Sequence, residues 1–114
     1  LTRPPTADDV KSAVEKARFY GIGNISLDVM IGFHGQTVES LKRTLDFCIG
    51  LNVNHISAYL LKVEPQTKFS NIDGIALSDD EMSALYEFCC EYLENHGYGQ
   101  YEISNFAKFR NFYF

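Results

Sequence analysis

The stretch Asn24-Ile-Ser-Leu-Asp-Val-Met-Ile-Gly-Phe-His-Gly-Gln-Thr37 predicts a strand, a glycine-framed loop and the start of a helix. Its first half alternates aliphatic residues with others, which is the period of a strand that has one side in a core. Two glycines frame the turn, and Thr37 is placed to cap the helix that follows. Asp28 is the one acid on this strand, and a polar residue just before such a loop is typical of the ligand-binding edge of α/β folds.

The remaining segments extend this pattern to the order α-β-α-β-α-β, so the predicted fold class is α/β. Apolar residues at helical spacing predict helices at about residues 7–20, 38–49 and 79–96, each after a capping residue. Residues 55–61 and 101–103 are predicted strands, and a long loop at residues 62–77 connects the first of these strands to the third helix. The first two strands lie about 30 residues apart, the length of a βαβ unit, which predicts a parallel sheet with right-handed crossovers.

Composition sets limits on the class of protein. A chain of 114 residues with 46% apolar residues can bury one core but cannot form a complete (β/α)₈ barrel. A net charge of −5 argues against nucleic-acid partners, and no apolar run approaches the roughly 20 residues of a membrane span. The chain starts without Met and ends abruptly in an aromatic run, so we expect it to be part of a longer protein.

Three cysteines, at positions 48, 89 and 90, indicate a reducing compartment, so we expect a cytoplasmic protein. Their spacing matches neither a zinc site nor an iron–sulfur site. Cys48 and Cys89 lie on apolar helix faces and are predicted to be buried, whereas Cys90 is predicted to be partly exposed. No metal ligands are therefore predicted within the chain.

The residues alone leave the role of the candidate site residues open. Asp28 is either an acceptor for hydroxyl or ammonium groups of a ligand or a buried acid bonded to backbone amides or a lysine. Tyr59 is expected to fill the lumen of a barrel, with stacking on a ligand as the alternative. Glu102 and Asn105 have the position of site residues at a strand end, and solvation explains them equally well. His34 lies in the glycine loop, where a solvated histidine is expected and a functional one is the alternative.

Four blocks, in this order, resemble the oxygen-independent coproporphyrinogen III oxidase family of radical S-adenosylmethionine (SAM) proteins. They are Leu27-Asp-Val-Met-Ile-Gly-Phe-His-Gly-Gln-Thr37, His55-Ile-Ser-Ala-Tyr59, Val63-Glu-Pro-Gln-Thr-Lys-Phe69 and Tyr101-Glu-Ile-Ser-Asn-Phe-Ala107. The last block is similar to the heme-chaperone (HemW-type) branch of the family. The resemblance extends to Lys108 and rests on four ordered motifs rather than on one.

The resemblance implies a partial TIM-type βα barrel, with residues 1–108 forming its middle to later strands and residues 109–114 an irregular tail. It also implies SAM and a [4Fe-4S] cluster as cofactors of the longer protein, with the cluster supplying the electron that cleaves SAM to a 5′-deoxyadenosyl radical. Asp28 matches an acid at the end of a barrel strand that contacts SAM, and Lys62 matches a residue that lines the SAM pocket through its backbone. The implied partner is a porphyrin or heme, either for oxidative decarboxylation of coproporphyrinogen III or for heme delivery.

The chain departs from the family pattern in several ways. The cluster-binding CxxxCxxC loop is absent and is expected upstream of Leu1, so we assign no catalytic residue and expect the isolated chain neither to cleave SAM nor to carry iron. His34 replaces a usual proline and Gln66 a usual glycine. After Lys108 the histidine and tryptophan that the chaperone branch associates with heme are missing, so no heme ligand is assigned.

A second interpretation is a small stand-alone α/β binding or regulatory domain without redox chemistry. The two interpretations differ at the sheet edges. A barrel segment leaves two strand edges open, which predicts self-association through those edges, whereas a stand-alone domain needs protected edges.

Overall fold

The computed structural model describes residues 6–61 and 77–108. These residues form helices α1 (Ala7–Phe19), α2 (Val38–Gly50) and α3 (Asp79–Asn95), and strands β1 (Ser26–Ile31), β2 (His55–Leu60), β3 (Tyr98–Glu102) and β4 (Asn105–Lys108). The α/β class is confirmed, and the three helices lie where the apolar periodicity places them. Within the described ranges, no helix is both long and apolar enough to cross a membrane.

Each helix starts at a capping box that the sequence specifies. The side-chain oxygens of Thr6, Thr37 and Ser78 each accept a hydrogen bond from the backbone N–H three residues later. That third residue returns a side-chain bond to the capping backbone, so two otherwise unpaired donors are satisfied at each start. α1 and α3 end before Gly21 and Gly97, whose φ angles of +87° and +91° stop the helix in the left-handed region.

The four strands form one sheet in the order β1-β2-β4-β3. β1 and β2 are parallel and in register from Ser26 opposite His55 to Ile31 opposite Leu60, with α2 between them, so the predicted βαβ unit is present. β4 pairs antiparallel with both β2 and β3. The expectation of parallel pairing throughout therefore holds for the first two strands and not for the last two. Only two residues separate β3 from β4, and such a short connection can join antiparallel strands only.

The predicted third strand at residues 101–103 is corrected to Tyr98–Glu102, and the chain then returns as β4. The strand starts earlier because α3 ends at Asn95 and the chain turns immediately at Gly97. β4 has four residues, which is too short to show a period, so residues 105–108 gave no strand signal. The tail at 109–114, and the predicted loop up to residue 76, lie outside the described residues.

α2 and α3 cover one face of the sheet and form the core with it. Leu41 and Leu45 of α2 and Leu93 of α3 are fully buried against strand residues Ile56 and Phe106. The aliphatic alternation of the opening stretch therefore faces the helices, as its period predicts.

The cysteines contribute to the same core. Cys48 and Cys89 are buried in it, as predicted, while Cys90 is intermediate in exposure. Burial raises the pKa of the Cys48 thiol to about 11 and that of Cys89 to about 12. Both thiols are consequently protonated at neutral pH and behave as small apolar groups.

Candidate ligand-binding face

The opposite face of the sheet is covered by no helix within the described residues, and we call it the open face. Side chains on this face alternate with the buried ones along β1 and β2, and two residues of the β3–β4 hairpin join them. The open face consists of Ser26, Asp28 and Met30 of β1, His55, Ser57 and Tyr59 of β2, Tyr101 of β3 and Asn105 of β4.

Asp28 lies on the open face and is exposed to solvent. Its carboxylate makes no hydrogen bond or ion pair with any residue in 6–61 or 77–108. Among the described residues the structure therefore shows an exposed acid, whereas the alternative in the sequence analysis was a buried one. The strand starts at Ser26, so Asp28 is its third residue and lies at mid-strand rather than at the carboxyl end, directly opposite Ser57 of β2.

Ser57 links Asp28 to the hairpin. Ser57 is only 4% exposed and its hydroxyl donates to Oδ1 of Asn105 at 2.9 Å. Nδ2 of Asn105 in turn donates to Oε1 of Glu102 at 2.7 Å. The structure thus brings Asn105 and Glu102, two residues that the sequence marked as candidates, into one hydrogen-bonded row next to Asp28.

The amino end of the open face contains a hydrogen-bonded group that sequence reasoning missed. Nδ1 of His55 lies 2.8 Å from the Ser26 hydroxyl, and Nε2 lies 2.6 Å from the Tyr101 hydroxyl. The group ties β1, β2 and β3 together. The alternation of β2 placed His55 on the same side as Ser57, but its contact with Tyr101 requires the β3–β4 hairpin, which the sequence did not reveal.

The carboxyl end of the open face has a different character. Met30 and Tyr59 lie opposite each other in the parallel register and expose 47% and 44% of their surfaces. Tyr59 therefore lies on the side of the sheet where the lumen of a barrel would be, and the choice between filling that lumen and stacking on a ligand stays a prediction. Side chains alternate between the two faces along β2, and this alternation places Tyr59 on the face that the described helices leave uncovered.

The loop after β1 is held by a buried glutamine that sequence reasoning also missed. Oε1 of Gln36 accepts from the Gly32 N–H at 2.7 Å, and Nε2 donates to the Met30 carbonyl at 3.1 Å. Gln36 is 8% exposed, so both bonds are shielded from water. Gly32 adopts a φ of +109°, which L side chains rarely adopt, so glycine is favoured there; a Cβ would also lie 2.7 Å from the methyl carbon of Met82, whose flexible side chain would have to shift.

Other candidate residues are less informative. His34 is exposed at the tip of the same loop. Lys62 and Gln66 lie outside the described residues. His96 follows α3, where its Nδ1 lies 2.7 Å from the Tyr92 carbonyl, consistent with a role at the helix end.

A groove of about 760 Å³ lies between the start of α1 and α2, along the edge of β1 that has no neighbour in the described sheet. Val10, Leu27, Phe47 and Cys48 contribute apolar walls, and Asp28 lines it as well because β1 is an edge strand. The groove and the open face therefore meet at Asp28.

The described residues offer no place for a metal centre. Within 6–61 and 77–108, no group of three or more His, Cys, Asp or Glu side chains could hold an ion. Cys48 and Cys89 are both buried in the apolar core, and with no third His, Cys, Asp or Glu grouped with them among the described residues they do not form a ligand set. An iron–sulfur cluster does not fit these residues.

Comparison with known proteins gives a consistent group of relatives, although no protein-family profile matches the chain. The chain is 43% identical to the heme chaperone HemW of Bacillus subtilis, over 88% of its own length and 27% of that protein. It is 34% identical to the mitochondrial radical S-adenosyl methionine domain-containing protein 1 of Danio rerio, over 95% of its length and 25% of that protein.

A solved structure has the same fold. The coproporphyrinogen III oxidase HemN of Escherichia coli, described as a radical SAM enzyme, superposes with a TM-score of 0.81. The match covers 93% of this chain and 25% of that one at 21% identity, so it bears on the fold alone. The chain therefore spans about a quarter of the length of these three proteins, of which it covers 27%, 25% and 25%.

Proposed function

We propose that this chain, a HemN/HemW-like segment by sequence and fold, forms one wall of a SAM-binding site in a radical SAM protein of heme metabolism. The observation that carries the proposal is the Asp28 carboxylate, which is exposed on the uncovered face of the sheet and has no partner among the described residues. A charged acceptor held by a strand on a surface free of helices is suited to bind hydroxyl or ammonium groups.

The open face fits SAM in its chemistry. SAM presents two ribose hydroxyls, an ammonium group and a sulfonium, all of which a carboxylate binds favourably. Ser57 and Asn105 add neutral polar groups in the row beside Asp28, and their mutual hydrogen bond fixes their orientation. When bound, SAM supplies radical chemistry that the protein side chains cannot. The role of Asp28 is to accept hydrogen bonds from the ligand and set its position on the sheet.

We include Lys62 in the same site, through its backbone. The support is the path of the chain before it. The Leu61 N–H donates to the Ile31 carbonyl at 2.7 Å, so the chain leaves β2 beside the carboxyl end of β1. Ligands of parallel α/β folds bind at this edge. The iron–sulfur cluster would need cysteines from outside the described residues, and we derive no step through it.

The test is SAM binding by the full-length protein that contains this chain, measured by equilibrium dialysis under anaerobic conditions. Asp28→Asn removes the charge and keeps the shape, and we expect SAM to bind about 10- to 100-fold more weakly, because a hydrogen bond to a charged group is worth about 1.5–3 kcal/mol. Glu91→Gln, at an exposed position of α3, is the matched control and should leave the affinity unchanged. Unchanged binding by Asp28→Asn would refute the proposed role.

Of the two heme-related functions, we propose heme delivery. Support comes from the relatives of 32–43% identity, which carry the name heme chaperone HemW, whereas HemN is similar in fold at 21% identity. We expect the full-length protein to bind heme stoichiometrically, with a shifted Soret band, and not to release CO₂ from coproporphyrinogen III. Release of CO₂ with turnover would establish the oxidase instead.

We also propose that residues 1–108 are one partial barrel domain whose edges self-associate. β1 and β3 each have a neighbour on one side only within the described sheet, and unpaired strand edges are templates for further pairing. Sedimentation of the 114-residue chain at several concentrations should show oligomers. A folded chain that remains monomeric throughout would favour the stand-alone domain.

A further inference from the structure

We propose that Tyr86 of α3 is a positioning residue for the ligand site, because it holds the turn of the β3–β4 hairpin and, through that turn, the side chain of Asn105. The proposal rests on the proposed function, since Asn105 belongs to the polar row beside Asp28 in which we place SAM. Tyr86 belongs to a helix on the other face of the sheet, so its effect on the open face is indirect.

The hairpin contains a β-bulge just before its turn. Two positions of β3, Gln100 and Glu102, pair with consecutive residues of β4, so the ladder has one extra residue on the β3 side. Tyr101 and Glu102 are consecutive, yet both reach the open face, as their side-chain hydrogen bonds show. A bulge redirects a side chain and disrupts the local strand pairing. The direction of Glu102 and of its partner Asn105 therefore depends on what else holds the turn.

The turn is anchored to α3 by a closed set of hydrogen bonds around the Ile103 carbonyl. The Tyr86 hydroxyl donates to this oxygen at 2.6 Å. Nε2 of Gln100 donates to the same oxygen at 3.0 Å and to the Tyr86 hydroxyl at 2.6 Å. The phenol has one proton and the amide nitrogen has two, so each proton has one acceptor. The Ile103 side chain is 74% exposed, so hydrogen bonds rather than packing hold the turn.

The helix that carries the anchor is itself firmly held. Leu85, next to Tyr86 in α3, is 4% exposed in the core. Just before the helix, the Leu77 N–H donates to the Gly32 carbonyl at 2.7 Å, which ties the start of α3 to the end of β1. One helix is thus fixed both to the strand that carries Asp28 and to the hairpin.

A short path joins the anchored turn to the proposed ligand site. One residue, Ser104, separates the anchored carbonyl from Asn105. The Ser104 carbonyl accepts a hydrogen bond from the Ala58 N–H of β2 at 2.7 Å. Oδ1 of Asn105 accepts from the Ser57 hydroxyl at 2.9 Å. A shift of the turn therefore moves the Asn105 amide, and hydrogen bonds weaken steeply when their distance and angle change.

The test applies one substitution to two tyrosines of α3 in the full-length protein. Tyr86→Phe removes the anchoring hydroxyl and keeps the ring, and SAM should bind about 3- to 10-fold more weakly in equilibrium dialysis. Tyr92→Phe is the matched control, because the Tyr92 hydroxyl donates to the Asp46 carboxylate of α2. It should leave the SAM affinity unchanged. Gln100→Ala removes the second donor to the anchored carbonyl and should also weaken SAM.

A double-mutant cycle distinguishes positioning from a general loss of stability. If Tyr86 acts through Asn105, Tyr86→Phe should weaken SAM binding in the unaltered protein and have no further effect in the Asn105→Ala background. A merely structural role predicts the same loss of affinity in both backgrounds. That result would overturn the positioning role.

The outcomes also separate the positioning role from the proposed function. If Asp28→Asn weakens SAM and Tyr86→Phe does not, the SAM site stands and the positioning role is wrong. If neither Asp28→Asn nor Asn105→Ala changes the affinity, SAM does not lie on the open face and both proposals are wrong. An equal loss of affinity in Tyr86→Phe and Tyr92→Phe would show a general effect of α3 and would also contradict the positioning role.

Discussion

On the face of the sheet that α2 and α3 cover, Val29, Ile56 and Phe106 are at most 3% exposed, whereas on the open face Met30 and Tyr59 expose nearly half of their surfaces. Val29 and Met30 are consecutive residues of β1, and Ile56 and Tyr59 face opposite sides of β2. The covered face holds the fold together through apolar burial. The open face, which carries Asp28 without a partner among the described residues, contributes little to the core and is the face on which we propose that a ligand binds.

The two ends of the open face differ in the same way. At the amino end, the two ring nitrogens of His55 are hydrogen-bonded to the hydroxyls of Ser26 and Tyr101. At the carboxyl end, Met30 and Tyr59 remain exposed. In parallel α/β folds the amino ends of strands serve stability and the carboxyl ends serve binding. We therefore expect one class of substitutions to change the free energy of unfolding and another class to change the affinity for a ligand.

The largest effect is expected on the covered face. Phe106→Ala should lower the free energy of unfolding by about 3–5 kcal/mol, because it removes a fully buried ring and leaves a cavity. Urea unfolding followed by circular dichroism measures the change. Phe33→Ala, at a residue that is 45% exposed, is the control and should cost under about 1 kcal/mol. Similar losses for the two variants would contradict the division between faces.

The next effect belongs to the loop after β1. Gln36→Leu should lower the free energy of unfolding by about 2–4 kcal/mol, because it leaves the Gly32 N–H and the Met30 carbonyl without their buried partner. The exposed His34→Gln in the same loop should stay within about 0.5 kcal/mol and serves as the control. If Gln36→Leu is as stable as the control, water replaces the side chain and the loop is not held by it.

Much of the covered face could be predicted from the sequence. Hydrophobic periodicity predicts which side of a strand or helix is buried. It identifies the buried side of the opening strand and the buried stripes of the helices, which contain Leu41, Leu45 and Leu93. Helix starts were equally accessible, because a capping box is a local pattern of four residues.

The open face was only partly predictable. The position of Asp28 on this side follows from alternation, but its mid-strand place and its alignment with Ser57 depend on the register of two strands. The row through Asn105 and the bond between His55 and Tyr101 require a hairpin of two short strands, whose pairing is non-local. Gln36 carries no signal, because a buried glutamine is recognised only once its two backbone partners are placed.

A smaller effect is expected from pH. Burial raises the pKa of Cys48 to about 11 and that of Cys89 to about 12, from 9.0 for an unburied thiol. The folded state therefore retains these protons while the unfolded state loses them, so stability is complete below pH 9 and falls as pH rises towards the folded values. Between pH 9 and 10, deprotonation of each thiol in the unfolded state should lower the free energy of unfolding by about 1 kcal/mol. The free energy of unfolding of Cys48→Ala should fall less steeply with pH than that of the unaltered chain. If the two free energies fall with equal slopes, the thiol is not the cause of the pH dependence.

The smallest effect on stability is expected at the residue with the largest proposed effect on binding. Asp28→Asn should change the free energy of unfolding by less than about 0.5 kcal/mol, since the carboxylate is exposed and bonds to nothing in residues 6–61 and 77–108. The same substitution is expected to weaken SAM about 10- to 100-fold. Urea unfolding and equilibrium dialysis on one preparation measure the two quantities together. A loss of stability above about 1 kcal/mol would mean that Asp28 supports the sheet, and the open face would then share the structural role of the covered one.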